Sequence, residues 1–201
     1  MEFTFKRTTG IVAALLLIAA ITQAIYTGLY IAKMDVPRQL LWGSEGVLFT
    51  ILAAFAGSAL AQAKRFHLAL AAITAAAILN VVQVGVGLTL FGPFREAASA
   101  VPEMAPAASG IVAFSFMVYN AAKVLLALAL LAVGLVKLEE GGKLLGGASV
   151  LTALVAVVSN AVVMYGLQYS ITSEGGFMPA GGSGVVATVL LAVCLFSISG
   201  E

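Results

Sequence analysis

Charge is what this chain of 201 residues has least of: only 9% of its residues are Asp, Glu, Lys or Arg, against roughly a quarter in an ordinary soluble domain. Hydrophobic residues make up 62%, and the mean hydropathy is +1.11. A soluble fold needs a polar skin that this composition cannot supply, and a disordered chain needs far less apolar surface. The net charge of +1 leaves no basic footprint for nucleic acid. A single cysteine, Cys194, excludes an internal disulfide, a CxxC redox pair and a cysteine-rich metal site. A single histidine, His67, cannot supply the two axial ligands of a membrane b-type haem or a multi-histidine metal centre. Asp35 is the only aspartate, so no aspartyl dyad is possible. No GxxxxGK[ST] loop is present, and no Ser/His pair falls in register for nucleophilic catalysis. No cofactor and no metal are expected, and the reading leans away from an enzyme.

What the chain does have is long apolar runs. A membrane-spanning helix needs about 20 mostly apolar residues. Six stretches qualify, near Gly10–Ala32, Leu41–Ala63, Leu68–Phe91, Ser109–Val136, Leu144–Ser170 and Gly184–Ser199. Barrel strands would alternate polar and apolar residues, whereas Ile11–Ala20 is apolar on every side. The expected fold is therefore all-α: a polytopic bundle of six transmembrane helices forming one domain over residues 1–201. The first run, preceded by Lys6 and Arg7, is too long for a signal core and lacks a small-x-small cleavage site, so it reads as a spanning helix. Lys6, Arg7, Lys64, Arg65, Lys137 and Lys143 fall on one side, against Lys33, Arg38 and Arg95 on the other. The positive-inside rule then places both termini in the cytoplasm, in a bacterial or archaeal cytoplasmic membrane. All five prolines fall in the outer connections, two of which, Gly92–Ala108 and Ile171–Ser183, read as long irregular segments able to cover a site.

The polar residues inside the runs are not scattered. Gln23, Tyr26 and Tyr30 share one face of the first helix; Asn80 and Gln83 do so on the third, Asn120 and Lys123 on the fourth, and Asn160 and Gln168 on the fifth. Tyr119, Tyr165, Tyr169 and Trp42 lie in the same half of the membrane, while the inner half is mostly Ala, Leu, Val and Ile. Polar groups in hydrocarbon are costly unless paired, so the stripes should converge. The expectation is a polar pocket, open outward, lined by Gln23, Tyr26, Glu45, Asn80, Gln83, Tyr119, Asn120, Lys123, Asn160 and Tyr165. The alternative for each residue is interhelical hydrogen-bonding glue. Helix six offers only Thr188 and Cys194 and is expected to face lipid or a partner. Small residues four apart, such as Ala20, Ala24 and Gly28, suit close helix packing inside the bundle or a dimer seam.

Two charges remain inside the spans. Lys123 falls at the middle of the fourth run, where insertion costs at least ~2.5–3.5 kcal/mol. Glu45 is the only acidic residue well inside a run. Lys123 and Glu45 could form a structural ion pair, Lys123 could grip a ligand oxygen, or Lys123 could change protonation during turnover. The reading that follows is a membrane protein that binds a small organic ligand, as a carrier or the substrate-binding subunit of a transporter. The layout is similar in size and topology to the substrate-binding components of vitamin uptake transporters. Two alternatives stand beside it: a non-catalytic lipid- or quinone-binding subunit or assembly factor of a membrane complex, and a membrane enzyme using Glu45 and Lys123 as acid and base. The expected partners are membrane lipid, the ligand, and other membrane subunits or a second copy.

Overall fold

The computed structural model describes residues 4–32, 34, 38–166 and 178–198. Six α-helices account for nearly all of them: α1 (Phe5–Ile31), α2 (Arg38–Gln62), α3 (His67–Ala100), α4 (Ala105–Glu139), α5 (Lys143–Met164) and α6 (Met178–Phe196). A 3₁₀ turn, Pro102–Met104, joins α3 to α4, and there is no sheet among the described residues. All six helices are long and apolar enough to cross a membrane. The chain is a multi-pass α-helical membrane protein. Its outer surface agrees, since Leu40, Val47, Leu68, Leu144, Leu151 and Val158 are all exposed. A belt of this kind is stable against lipid and would aggregate in water.

The helices pack as a ring in chain order, closed by α6 against α1, and α4 also packs against α6. The contacts rest on small residues. Ala13, Ala56, Ala59, Ala69, Ala76, Ala122, Ala127, Ala153, Ala156 and Ala187 are fully buried. In lipid no hydrophobic force drives helices together, so close backbone approach does the work. The tightest approach is between α4 and α5. A Cβ on Gly146 would stand 2.8 Å from the Leu138 amide nitrogen and 2.9 Å from the Gly134 carbonyl oxygen. The turn between these helices uses Gly141 at φ +87°, a conformation that favours glycine.

With the six described helices alternating in direction, the start of α1 and the end of α6 lie on one face, here called the terminal face. The opposite face is called distal. On the terminal face, Glu140 accepts from Arg65 at 3.2 Å and from Lys137 at 3.3 Å, tying the α2–α3 turn to the α4–α5 turn. The hydrogen bond from Lys137, and then Arg65, holds the exposed Glu140 carboxyl below its usual range.

Two expectations are corrected. Residues 92–108 are helical on both sides of a short break, not an irregular loop. Their prolines sit where helices accept them: Pro102 and Pro106 lie in first turns, where no intrahelical donor is lost, and Pro93 is exposed within α3. At 34 residues, α3 is about 51 Å long, well beyond the ~30 Å hydrocarbon core. Second, α6 is no lipid-facing outlier. It packs against α1, α4 and α5, with Ala187, Thr188, Leu191, Ala192 and Cys194 fully buried. Of the other irregular segment expected, residues 171–177 lie outside the described residues, and Met178–Ser183 belong to α6.

Candidate functional site

Toward the terminal face the bundle interior is mostly apolar. Leu16 and Ala19 of α1, Phe49 and Leu52 of α2, Ile73 of α3, and Leu126 and Leu130 of α4 are buried in one cluster. One or two turns further toward the distal face, each of these four helices carries a polar group. At ~1.5 Å per residue, Gln23, Glu45, Lys123 and Asn160 stand about 24–27 Å from the terminal-face ends of their helices, and Asn80 about 20 Å. By this count Gln23, Glu45, Lys123 and Asn160 share a polar layer at similar depth, with Asn80 nearer the terminal face, above the apolar cluster.

Lys123 is its centre. The side chain is 0% exposed. The backbones of α1 and α4 are not closely packed, and the long lysine side chain bridges the interval between them. Its Nζ donates to Gln23 Oε1 and stands 5.1 Å from the centroid of the Tyr119 ring, within cation–π range. Gly184 of α6 makes room for the stem: a Cβ there would meet Lys123 Cδ at 2.9 Å.

Glu45 is buried on α2, and its Oε1 has no hydrogen-bond partner. The Thr22 hydroxyl of α1 stands beside the carboxyl. A threonine hydroxyl has one proton, and here it goes to the Ala19 carbonyl at 3.0 Å. Glu45 lies within electrostatic reach of Lys123, yet the two do not make one of the ion pairs among the described residues. The direct Lys123–Glu45 pair expected as one option is not formed.

Distal to Glu45, and on the same α2 face, lies Trp42. Its ring centroid is 5.8 Å from Tyr26 of α1 and 5.7 Å from Phe91 of α3. Gly87 seats the indole, because a Cβ there would lie 2.9 Å from it. Tyr26, Trp42, Phe91 and Tyr119 are all half-buried, so they form the distal wall of the layer.

The remaining expected residues divide. Asn80 donates to the Ala76 carbonyl at 2.8 Å, and its buried Oδ1 has no partner. Asn160 donates to Ala156 and Ala180 carbonyls, at 2.7 and 3.4 Å, and its buried Oδ1 likewise has none. Gln83 donates to Ser115 across α3 and α4 at 3.4 Å. Asn120 is buried and donates to the Phe116 carbonyl of its own helix at 2.7 Å. These two are glue or local bonds. Tyr165 caps α5 and is 81% exposed, away from the layer. Gln168 and Tyr169, and the side chain of Tyr30, lie outside what the structure describes.

Sequence reasoning missed four members: Thr22, Gly184, and Ser159 and Ser183, which join α5 to α6 at 2.7 Å. Spacing carried a signal for Thr22, which lies one turn before Tyr26 on the same face. Gly87 falls on the Asn80–Gln83 face of the third run, whereas nothing local marked Gly184. Among the described residues no three His, Cys, Asp or Glu side chains gather to hold a metal. Compared with known protein families, with curated proteins and with solved structures, the chain matches none.

Proposed function

We propose that this chain binds a small organic ligand in the distal half of the membrane, as a carrier or as the substrate-capturing subunit of a transporter. One observation carries the reading: Lys123, fully buried at mid-helix, is held by a neutral amide, while the nearby Glu45 carboxyl keeps an unpartnered oxygen. A purely structural lysine would be expected to neutralise its charge on the one carboxylate available. Orphaned buried acceptors are rare and call for a reason. Loading of the site from the distal face follows from its aromatic wall and apolar floor, and the Lys/Arg balance makes that face the outer one.

The test needs no known ligand. Single cysteines at Tyr26, Trp42 and Tyr119 of the half-buried distal wall, in a Cys194→Ala background, are exposed to a membrane-impermeant maleimide. The reading predicts labelling from the distal side, with cysteines at Leu126 and Leu130 protected. Equal protection of all five positions would remove it. A second reading, a lipid- or quinone-binding subunit, is favoured by a separate observation. An apolar groove of about 370 Å³ runs between α2 and α3, lined by Gly43, Gly46, Val47, Thr50, Val84 and Gly85. Filling it with Gly43→Leu would impair that function and leave distal labelling unchanged.

A further inference from the structure

Lys123 and Glu45 carry opposite charges into one interior and are kept from meeting. Consecutive residues of α1 face them: Gln23 takes the lysine Nζ, and Thr22 stands beside the carboxyl while giving its proton to Ala19. The result is a donor whose present partner is a neutral, replaceable amide, and an acceptor, Glu45 Oε1, with no partner at 6% exposure. Next to both is the half-buried aromatic wall of Tyr26, Trp42, Phe91 and Tyr119.

We propose that the site takes a small zwitterion, an α-amino acid with an apolar or aromatic side chain. Its ammonium donates to Glu45 Oε1, its carboxylate accepts from Lys123 in place of Gln23, and its side chain lies against Trp42, Tyr26 and Phe91. This rests on the ligand-binding reading above and names the ligand class. Charge balance selects the zwitterion. With Lys123 an ammonium and Glu45 a carboxylate, the two together carry no net charge, and a ligand with one charge of each sign keeps the buried site neutral. An amine alone would add a cation beside Lys123. A carboxylate alone would leave Glu45 Oε1 unpaired. Either arrangement leaves an uncompensated polar group in a low-dielectric interior. The aromatic wall supplies apolar area and ring faces where the third substituent would lie.

The experiment is equilibrium binding of radiolabelled L-phenylalanine to the full chain in lipid nanodiscs, with competition by L-leucine, L-alanine, 2-phenylethylamine and 3-phenylpropionate. Wild type should bind phenylalanine, with leucine competing. Each single-charge analogue should be weaker by about tenfold or more, the loss of one charge-assisted hydrogen bond. Glu45→Gln should weaken phenylalanine by about tenfold and leave phenylpropionate unchanged or tighter. Lys123→Met should do the reverse, sparing phenylethylamine. A monodisperse elution profile for each variant establishes that it folds. If either single-charge analogue binds as well as phenylalanine, phenylpropionate through Lys123 or phenylethylamine through Glu45, the zwitterion is overturned and the ligand-binding reading stands. If no amino acid binds, the zwitterion is likewise overturned. If, in addition, distal cysteine labelling fails, the ligand-binding reading falls with it.

Discussion

The terminal and distal halves of the bundle are built from the same helices and solve different problems. In the terminal half, polar groups are few and mostly partnered: Ser149 of α5 shares a 3.4 Å contact with Cys194 of α6, and Thr8 donates to the Thr4 carbonyl at 2.9 Å. Thr9 is the exception, with a buried, unpartnered hydroxyl. Gly146 there meets backbone, at Leu138 and Gly134, and Gly134 meets the Ser149 Cβ and the Val150 backbone. In the distal half and at the midplane, Glu45, Asn80 and Asn160 each keep an unpartnered oxygen, and Gly87 and Gly184 meet side chains, the Trp42 ring and the Lys123 stem. One half is closed by packing. The other holds polar groups in place without satisfying them, the pattern expected where stability has been exchanged for a site.

The contrast can be broken most forcefully at Gly146. Gly146→Ala drives a methyl into backbone atoms that cannot yield, and should cost about 1–3 kcal/mol of unfolding free energy. A harmless Gly146→Ala would mean that the terminal half is not close-packed. Next, polar deletions should differ in sign between the halves. Ser149→Ala should cost about 0.5–1.5 kcal/mol by losing a made contact. Asn160→Leu should be neutral or stabilise by about 1 kcal/mol by removing an orphaned acceptor. Denaturant titration in mixed micelles reads both, and equal losses would erase the distinction.

A smaller effect is expected at Gly184, whose added methyl meets the flexible Lys123 stem. The gain in helix propensity, about 1 kcal/mol, should offset most of the crowding, while ligand affinity falls because Lys123 is displaced. The smallest effect is at the terminal face. The folded-state pKa of Glu140 is depressed, so its contribution is present above the unfolded value near 4.5 and is lost as pH falls through the lower folded value. Wild type should exceed Glu140→Gln by about 0.2–1 kcal/mol at neutral pH, the range of exposed ion pairs. The difference should vanish once the pH has fallen below that lowered value, and shrink in high salt.

Much of this was legible in the chain. Six apolar runs and the position of Lys123 follow from length and hydropathy alone. The partner of Lys123 was not legible. Charge alone favoured Glu45, and only the separation of the α1 and α4 backbones decides that a lysine side chain ends at Gln23. The role of α6 was misjudged because burial was sought in polar residues. In a bilayer the better signal is small residues, here Gly184, Ala187 and Ala192. Tyr165 was placed with Asn160 by depth, but five residues of helix turn it about 140° away. Pro102 and Pro106 signal helix starts as well as loops, and spacing alone does not choose between them.

The central claim is that Lys123 serves a site and does not hold the bundle together. The most direct test is the unfolding free energy of Lys123→Met against wild type in the same lipid. Because Lys123 is held by a neutral amide, the account predicts a change of no more than about 1 kcal/mol, or a gain. A loss of about 3–5 kcal/mol, as when one partner of a buried ion pair is removed, would contradict it.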